Sequence, residues 1–292
     1  VYYYVELIHK DGSSSADHFA LYWQTPSNST RTIVPGSALV RWQNCSPSVR
    51  VRANLAGPWN SAANLMRDDL RSASLIPTTE PFTSLGFTHV GGGGGETVGP
   101  ARLAVSGKNA IVDWVLVELR SATTPTQVVA TRSALLERDG DIIGTNGYPR
   151  LLFSVPAGNY HVSVRHRNHF GAMTATSVTL DANESGVDFT QSSTSTYGTG
   201  AQTTLSNGRR ALWSGNVLLD ATLRYVGAQN DRDPILSAIG GSTPTTTIAG
   251  YRVEDVNLDG LVRYVGANND RDPVLQNIGG SVPTATRTQQ LP

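Results

Sequence analysis

Cysteine is almost absent: the chain of 292 residues holds one, Cys45. A single thiol excludes internal disulfides and cysteine-paired zinc sites. With no activating base near it in sequence, Cys45 is expected to be inert. Lysine is nearly as scarce, with only Lys10 and Lys108 among 23 basic residues, the rest being arginine. Acidic residues also number 23, so the formal net charge is zero. That balance argues against a nucleic-acid or anionic-membrane surface that works by bulk charge. No apolar run approaches the ~18 residues that a membrane-spanning helix needs, so no transmembrane segment is expected. G-x-S-x-G, H-E-x-x-H and a complete G-x-G-x-x-G are all missing, and the run Gly91–Gly95 lacks the Lys-Ser/Thr of a phosphate cradle. No nucleophile sits in an activating context, so no catalytic centre is expected.

What is present reads as mainly β. Hydrophobic content of 39% is enough for real cores. Short β-branched and aromatic runs recur between Gly, Pro, Ser and Asp turns, which argues for antiparallel β-sandwich structure. AIVDWVLVELR (110–120) is apolar on nearly both faces and predicts a central strand covered on both sides. NYHVSVRH (159–166) predicts a second interior strand, and TQVVATRSALLERDGDIIG (126–144) one long strand or two. AANLMRDDLRSA (62–73) is the one clear helix candidate. QSSTSTYGTGAQTTLSNG (191–208) has the composition of a linker. The opening VYYYVEL reads as the middle of a strand, so the chain is expected to be a piece of a longer, processed protein.

The last part of the chain is duplicated. GNVLLDATLRYVGAQNDRDPILSAIGGSTPT aligns with EDVNLDGLVRYVGANNDRDPVLQNIGGSVPT at an offset of 39 residues, with about two-thirds of positions identical. Each repeat ends in a predicted short helix. Asp233 and Asp272 are expected as N-caps, Pro234 and Pro273 at the first helical position, and Gly240 and Gly279 past the end.

The second repeat carries the chemistry. Asp255-Val-Asn257-Leu-Asp259-Gly260 is the opening of a calcium loop. Calcium takes about six to eight oxygens. Side chains at loop positions 1, 3 and 5 converge, glycine at 6 permits the turn, and the carbonyl at 7, here Leu261, faces the ion. Position 12 is Gly266 rather than the bidentate Glu of an EF-hand, so the closing acid is expected from Asp270 or Asp272. The first repeat is degenerate: Asn216, Leu218, Asp220 and Thr222 stand at the corresponding positions, with Asp231 and Asp233 following. A weaker or backbone-assisted site is expected there. The competing reading has these acids capping helices and pairing with Arg224, Arg232, Arg263 and Arg271. Size favours the metal, because a module below about 80 residues rarely stands without a staple. Calcium at a hundred times Kd contributes about 2.7 kcal/mol per site.

Three histidines, His161, His166 and His169, lie close in sequence. His161 and His166 fall on opposite faces of a strand, so strand-end packing is expected rather than zinc. Asp113, an acid in an apolar strand, is expected to pair structurally with Arg165 or His166.

Several segments resemble known families. The tyrosine-rich start, LYWQTP and IVPGSAL resemble the final hairpin of the protective-antigen lectin-like sandwich. Asp139-Gly140 and Pro156-Ala157-Gly158-x-Tyr160-x-Val162-x-Val164 resemble the carboxypeptidase-regulatory, prealbumin-like sandwich, whose turn lets Gly158 take positive φ. DVNLDGLV resembles dockerin and thrombospondin-type calcium repeats. From about residue 57 onward, GPWNSAANLMRDDLRSASLIPTTEPF, ATRSALLERDGDI and VRHRNHFGAMTA resemble the C-terminal region of large type IX-secreted, hemagglutinin- or adhesin-like surface proteins. Together these imply a hairpin of a lectin-like sandwich over 1–46, a prealbumin-like region over 47–190, a linker over 191–208 and tandem calcium repeats over 209–292. They imply a secreted, cell-surface, non-enzymatic structural or adhesive protein stabilised by calcium. Its expected partners are other copies of itself, other surface proteins or carbohydrate. Two alternatives stand beside this: a dockerin-like protein-docking module, and the accessory C-terminal region of a secreted hydrolase.

Overall fold

The computed structural model describes residues 22–25, 28–34 and 47–292, apart from Ala182 and Glu184. The chain divides into two units, Val1–Asn44 and Cys45–Pro292. In the first, Tyr22–Thr25 pairs antiparallel with Asn28–Ile33, Tyr22 opposite Ile33. The other expectations for 1–46, Cys45 included, lie outside the described residues.

The second unit is built on a nine-stranded sheet. Seven of its strands run in the order Ala172–Met173, Gly158–Arg165, Ile111–Ser121, Val128–Glu137, Asp141–Ile143, Ser48–Arg52, Ser185–Asp188, while Leu151–Leu152 pairs with Ser48–Arg52 and Val178–Leu180 with Gly158–Arg165 off this path. Ile111–Ser121 is buried along all but its last residue. It lies between Val128–Glu137 and Gly158–Arg165, antiparallel to both. Two expected interior strands are thus neighbours. Val128–Glu137 and Asp141–Ile143 are separate strands joined at Asp139-Gly140, where Gly140 has φ +95°. That left-handed conformation is what a glycine supplies at little cost. Val178–Leu180 pairs with Gly158–Tyr160 at one end of the order, and Ser185–Asp188, a few residues on, forms the other end. The sheet therefore wraps round a core that includes Val115, Val117, Leu135, Val162 and Phe153. The last pairing, Ser185–Asp188 with Ser48–Arg52, is parallel and departs from the otherwise antiparallel pattern.

The segment before Ile111 supplies cover for the central strand. Its buried Leu70, Ile76, Phe82 and Val98 belong to the same core, and Trp114 Nε1 donates to Pro77 O at 2.9 Å. The helix expected over 62–73 is reduced to one turn, Asp69–Ser72. Asn60 Oδ1 accepts from the Ala62 and Ala63 amides, Asn64 takes φ +51°, and Leu65–Met66 pairs with Trp59–Asn60. A side-chain oxygen competing for backbone donors ends helical spacing before it can propagate. Gly158 is likewise a correction. It opens a strand and is absent from the positive-φ glycines.

Residues 191–208 are not a free tether. Ala201 and Gln202 are buried, Tyr197 N donates to Met173 O at 2.8 Å, and Gln202–Thr204 pairs with Arg210–Leu212. Small side chains let this backbone lie against the sheet, so a linker composition hides an ordered strap.

The duplicated module follows. Thr222–Arg224 pairs with Thr286–Thr288, and Leu261–Arg263 pairs with Thr247–Ala249. Each repeat's loop strand is therefore closed by the strand that follows the other repeat. The helices cross over in the same way: Arg232–Ala238 packs on Leu261–Arg263 and Arg271–Asn277 on Thr222–Arg224. The module's core consists of equivalent pairs, Val217 with Val256, Leu223 with Val262, Ile235 with Val274 and Ile239 with Ile278, joined by Phe170. Neither repeat can bury its apolar face alone. The caps differ from expectation by two residues: Asp231 and Asp270 occupy the N-cap positions, without capping hydrogen bonds of their own. The helix stops are as expected, with Gly241 N donating to Leu236 O and Gly280 N to Leu275 O.

Candidate metal-binding loops and the clamp beneath them

The two loops have one backbone path. Leu219 and Leu258 have φ +58° and +59°, and Gln229 and Asn268 have +54° and +55°. Left-handed non-glycine residues at the same two places in each repeat mean that the degenerate loop keeps the shape of the intact one.

In the second loop, Asp255 is buried, its Oδ1 accepting from Asp259 N at 3.1 Å and its Oδ2 from Gly260 N at 2.9 Å. Asn257 Oδ1 accepts from Asp259 N and its Nδ2 donates to Asn268 O. Asp259 accepts from Leu261 N and from Arg263 Nη1. Leu261 opens the strand that pairs with Thr247–Ala249. Asp270 is also fully buried. Its Oδ1 accepts from Val256 N at 2.7 Å and Asn257 N at 3.3 Å, and its Oδ2 from Arg263 N at 2.8 Å. Asp272 lies outside the loop, held by Asn269 and Arg271.

The first loop repeats this plan. Asp231 accepts from Val217 N, Leu218 N and Arg224 N. Asp220 accepts from Thr222 N at 2.7 Å and meets Arg224 Nη1 at 3.4 Å, and Thr222 opens the strand paired with Thr286–Thr288. Leu218 points its side chain outward, and Asp233 is held by Asn230 and Arg232. Asn216 is buried, and its Oδ1 has no hydrogen-bond donor.

The acids therefore sort into two groups. Asp220, Asp259, Asp233 and Asp272 each face an arginine, as the competing reading expects. Asp231, Asp255 and Asp270 are buried and make no ion pair among the described residues. Burial pushes the carboxyls of Asp231 and Asp255 up to about 6. Burial and then the neighbouring Asp255 push Asp270 up to about 8. Uncompensated buried carboxylates are costly unless they meet a cation or a proton. An all-oxygen donor set with unneutralised charge in loop two, and an orphan oxygen at position 1 of loop one, fit a hard divalent cation. The residues that could hold such an ion are Asp255, Asn257, Asp259 and Asp270 in loop two, and Asn216, Asp220 and Asp231 in loop one, although Asp255, Asp259 and Asp270 do not bring their oxygens within 4.8 Å of one another. Asp272 and Asp233 do not join them.

Among the described residues, one trio of acids brings its carboxylate oxygens within 4.8 Å of one another, Glu137, Asp139 and Asp141. Arg102, Lys108 and Arg52 meet these three, so the trio is an ion-pair cluster.

Beneath the second loop lies a buried polar clamp. Asp113 Oδ2 accepts from Arg167 Nε at 2.9 Å and His166 Nε2 at 3.1 Å, and its Oδ1 from Tyr251 Oη at 2.6 Å. Asp113 thus pairs with His166, as expected, and with Arg167 instead of Arg165. Burial works against its charge, but Arg167 and His166 outweigh this and hold Asp113 down at about 2. The Arg167 guanidinium stacks on Tyr251, 4.2 Å from the ring centre, and donates to Arg252 O. Asn168 Nδ2 donates to Val253 O and Asp255 O at 2.9 and 2.7 Å. His169 Nε2 accepts from Gly57 N, so its Nδ1–H donates to Asn168 Oδ1 at 2.8 Å. His166 Nδ1 accepts from Asn168 N at 3.3 Å. Both rings are therefore neutral, and burial lowers both pKa values. His161 stands apart, on Thr174 O.

Arg167, Asn168, Tyr251 and Gly57 escaped the sequence reading. The one signal was the density of polar residues in RHRNHF at the end of an apolar strand.

No family model matches the chain, and no curated protein matches it. A solved chain from a type II cohesin–X-dockerin complex of Acetivibrio cellulolyticus, an N-terminal interface mutant, is 20% identical over 56% of this chain and 79% of that one. Its TM-score is 0.27, too low to carry an argument. No helix among the described residues is long and apolar enough to cross a membrane.

Proposed function

We propose that this chain is a calcium-stabilised, non-enzymatic structural or adhesive part of a secreted surface protein. The observation that carries the reading is the pair of like-shaped loops holding buried carboxylates that make no ion pair among the described residues. Calcium would be held by Asp255, Asn257, Asp259 and Asp270, and in the first loop by Asn216, Asp220 and Asp231. It would supply charge neutralisation and rigidity, and no chemistry.

The interlocked repeats support a mechanical role. Strands and helices are exchanged between repeats, and the clamp fastens the second loop to the central strand of the sheet. An ion in either loop would stiffen both. The adhesin-like segments support a secreted, cell-surface location, where calcium is abundant. The non-enzymatic reading is supported by the burial of the His166–Asp113 pair. Both side chains are fully enclosed and hydrogen-bonded, so no substrate reaches them. The expected partners are further copies of the chain or other surface proteins.

Calorimetry of calcium binding after chelation tests the metal. Binding at or below millimolar with a rise in Tm supports it, and no binding with an unchanged Tm removes it. Light scattering with and without chelator tests self-association.

A further inference from the structure

We propose that the cleft between the Leu85–Val90 segment and the sheet is a binding site for a carboxylate attached to an apolar body, received by Arg165. The cleft has a volume of about 340 Å³, within the range of small-ligand sites.

Its floor is a fixed charge cluster. Glu118, buried on the central strand, accepts from Ser163 Oγ at 2.7 Å and Arg120 Nε at 2.8 Å through Oε2. Its Oε1 meets Arg165 Nη1 at 3.3 Å. One carboxylate thus serves two guanidiniums, and Arg120 holds it at the shorter distance. Among the described residues Arg165 has no other acidic partner. Its side chain is 29% exposed, and it has a fork of five N–H donors of which one is occupied. The guanidinium cannot swing freely, because Phe87 lies under it with the ring centre 4.6 Å away. Phe87 in turn packs edge-on against the fully buried Phe82, centroids 5.3 Å apart. A guanidinium held flat on an aromatic ring, with free donors at its rim, is preorganised for a planar anion, and carboxylate matches that fork.

The rest of the lining is Leu85, Val90, Val128 and Leu219, with Thr88 and Gly86 beside them. The wall is anchored at both ends, by Phe87 N on Phe82 O and by Val90 N on Thr131 Oγ1. Leu219 comes from the first calcium-type loop, at φ +58°. Its counterpart in the second loop, Leu258, is buried in the main core. The duplication has thus left one loop leucine to anchor the module and the other to line a cleft. Phe87 is covered by Arg165, so no bare aromatic platform is offered for stacking a sugar ring. The lining suits an aliphatic side chain with a carboxylate at one end. Such a group occurs in a free acyl amino acid or at the C-terminus of a polypeptide.

The test is an NMR titration of the labelled chain in millimolar calcium. The probes are N-acetyl-leucine, N-acetyl-leucinamide and a pentapeptide ending in a free leucine carboxylate. The expected result is shifts confined to residues 85–90, 118, 128, 165 and 219, with the amide binding at least fivefold more weakly than the acid. Arg165→Gln is expected to remove that preference, and Leu219→Ser to weaken acid and amide alike. A peptide that binds at least tenfold tighter than N-acetyl-leucine identifies the ligand as a chain terminus, and equal affinity identifies a small acid. Acid and amide binding equally to the wild type, or shifts elsewhere, overturns the proposal. If Arg165→Gln does not fold, the acid–amide comparison on the wild type decides alone.

Discussion

Tyr251 donates its hydroxyl hydrogen to Asp113 Oδ1 at 2.6 Å, across 138 positions of chain. The bond ties the segment between the repeats to the centre of the sheet. It is also one of four hydrogen bonds, with those from Arg167, His166 and the Trp114 amide, that keep a buried carboxylate ionised, and Arg167, itself buried, depends on that charge.

Removing members of this set is expected to cost unequal amounts. Tyr251→Phe deletes one hydrogen bond to a charged group, which is typically about 1.5–3 kcal/mol. Asp113→Asn leaves the Arg167 charge without its counter-ion, which is typically about 3–5 kcal/mol. Urea unfolding checks both. A cost for Asp113→Asn below that of Tyr251→Phe would mean that Arg167 finds another partner, and the clamp as described would be wrong.

Chelation is expected to lower Tm and to narrow the gap between wild type and Asp255→Asn. In calcium the wild type gains about 2.7 kcal/mol for each site filled at a hundred times Kd. Asp255→Asn is expected to lose the larger share of that gain, and Asn216→Ala a smaller one. Thermal melts of the three proteins with and without chelator read this directly. Equal calcium-induced shifts in all three would place the ion elsewhere.

The β pattern was legible because AIVDWVLVELR is apolar on both faces, and only a covered central strand needs that. The duplication was legible at once, and so were the glycine stops after each helix. The caps were misplaced because Asp-Arg-Asp-Pro offers two acids. The structure uses the first, Asp231 or Asp270, since only that one is near enough to the loop amides. Asp272 and Asp233, read as possible ligands, are drawn away by the arginines beside them. The helix over 62–73 failed because Asn60 captures the amides that a helix would use. The clamp was legible only in its Asp113–His166 pair. Arg167 and Tyr251 were not, because Asp113, His166–Arg167 and Tyr251 come from three distant segments, and no spacing rule links them.

Stability in saturating calcium is expected to fall as pH drops below about 6.5. His166 and His169 are buried neutral, with folded pKa values below the ordinary histidine value. Between the unfolded and folded pKa the unfolded chain binds more protons, so stability rises with pH in that window. Each histidine that stays neutral contributes about 1.4 kcal/mol per pH unit. Asp113, at about 2, adds its loss only between about 4 and 2. Without calcium, Asp255 and Asp270 act in the opposite sense, since their raised values favour folding as pH falls. The clean measurement is the difference between wild type and His169→Gln at pH 7 and pH 5, in which the loop carboxylates cancel. The wild type should lose more than the variant; an equal loss would show that His169 is protonated in the fold.

Gly57 faces the second loop across the clamp. Its φ is not left-handed, so its need to be glycine is steric. A Cβ built there would stand 2.2 Å from Val256 O and 3.1 Å from His169 Nε2. The first contact is with backbone, which cannot rotate away, and overpacking of this kind typically costs about 1–3 kcal/mol or more. Gly57 N also donates to His169 Nε2 at 3.1 Å, so relief by moving residue 57 breaks that bond. Gly57→Ala is therefore expected to loosen the repeat module from the sheet while leaving each with its own core. Hydrogen exchange should show faster exchange at Val253–Asp259 and at His166–His169, with the amides of Val115–Leu119 still protected. Gly186→Ala is the control, since a Cβ there meets nothing within 4 Å. If Gly57→Ala leaves exchange at Val253–Asp259 unchanged, the module is not held to the sheet by this contact.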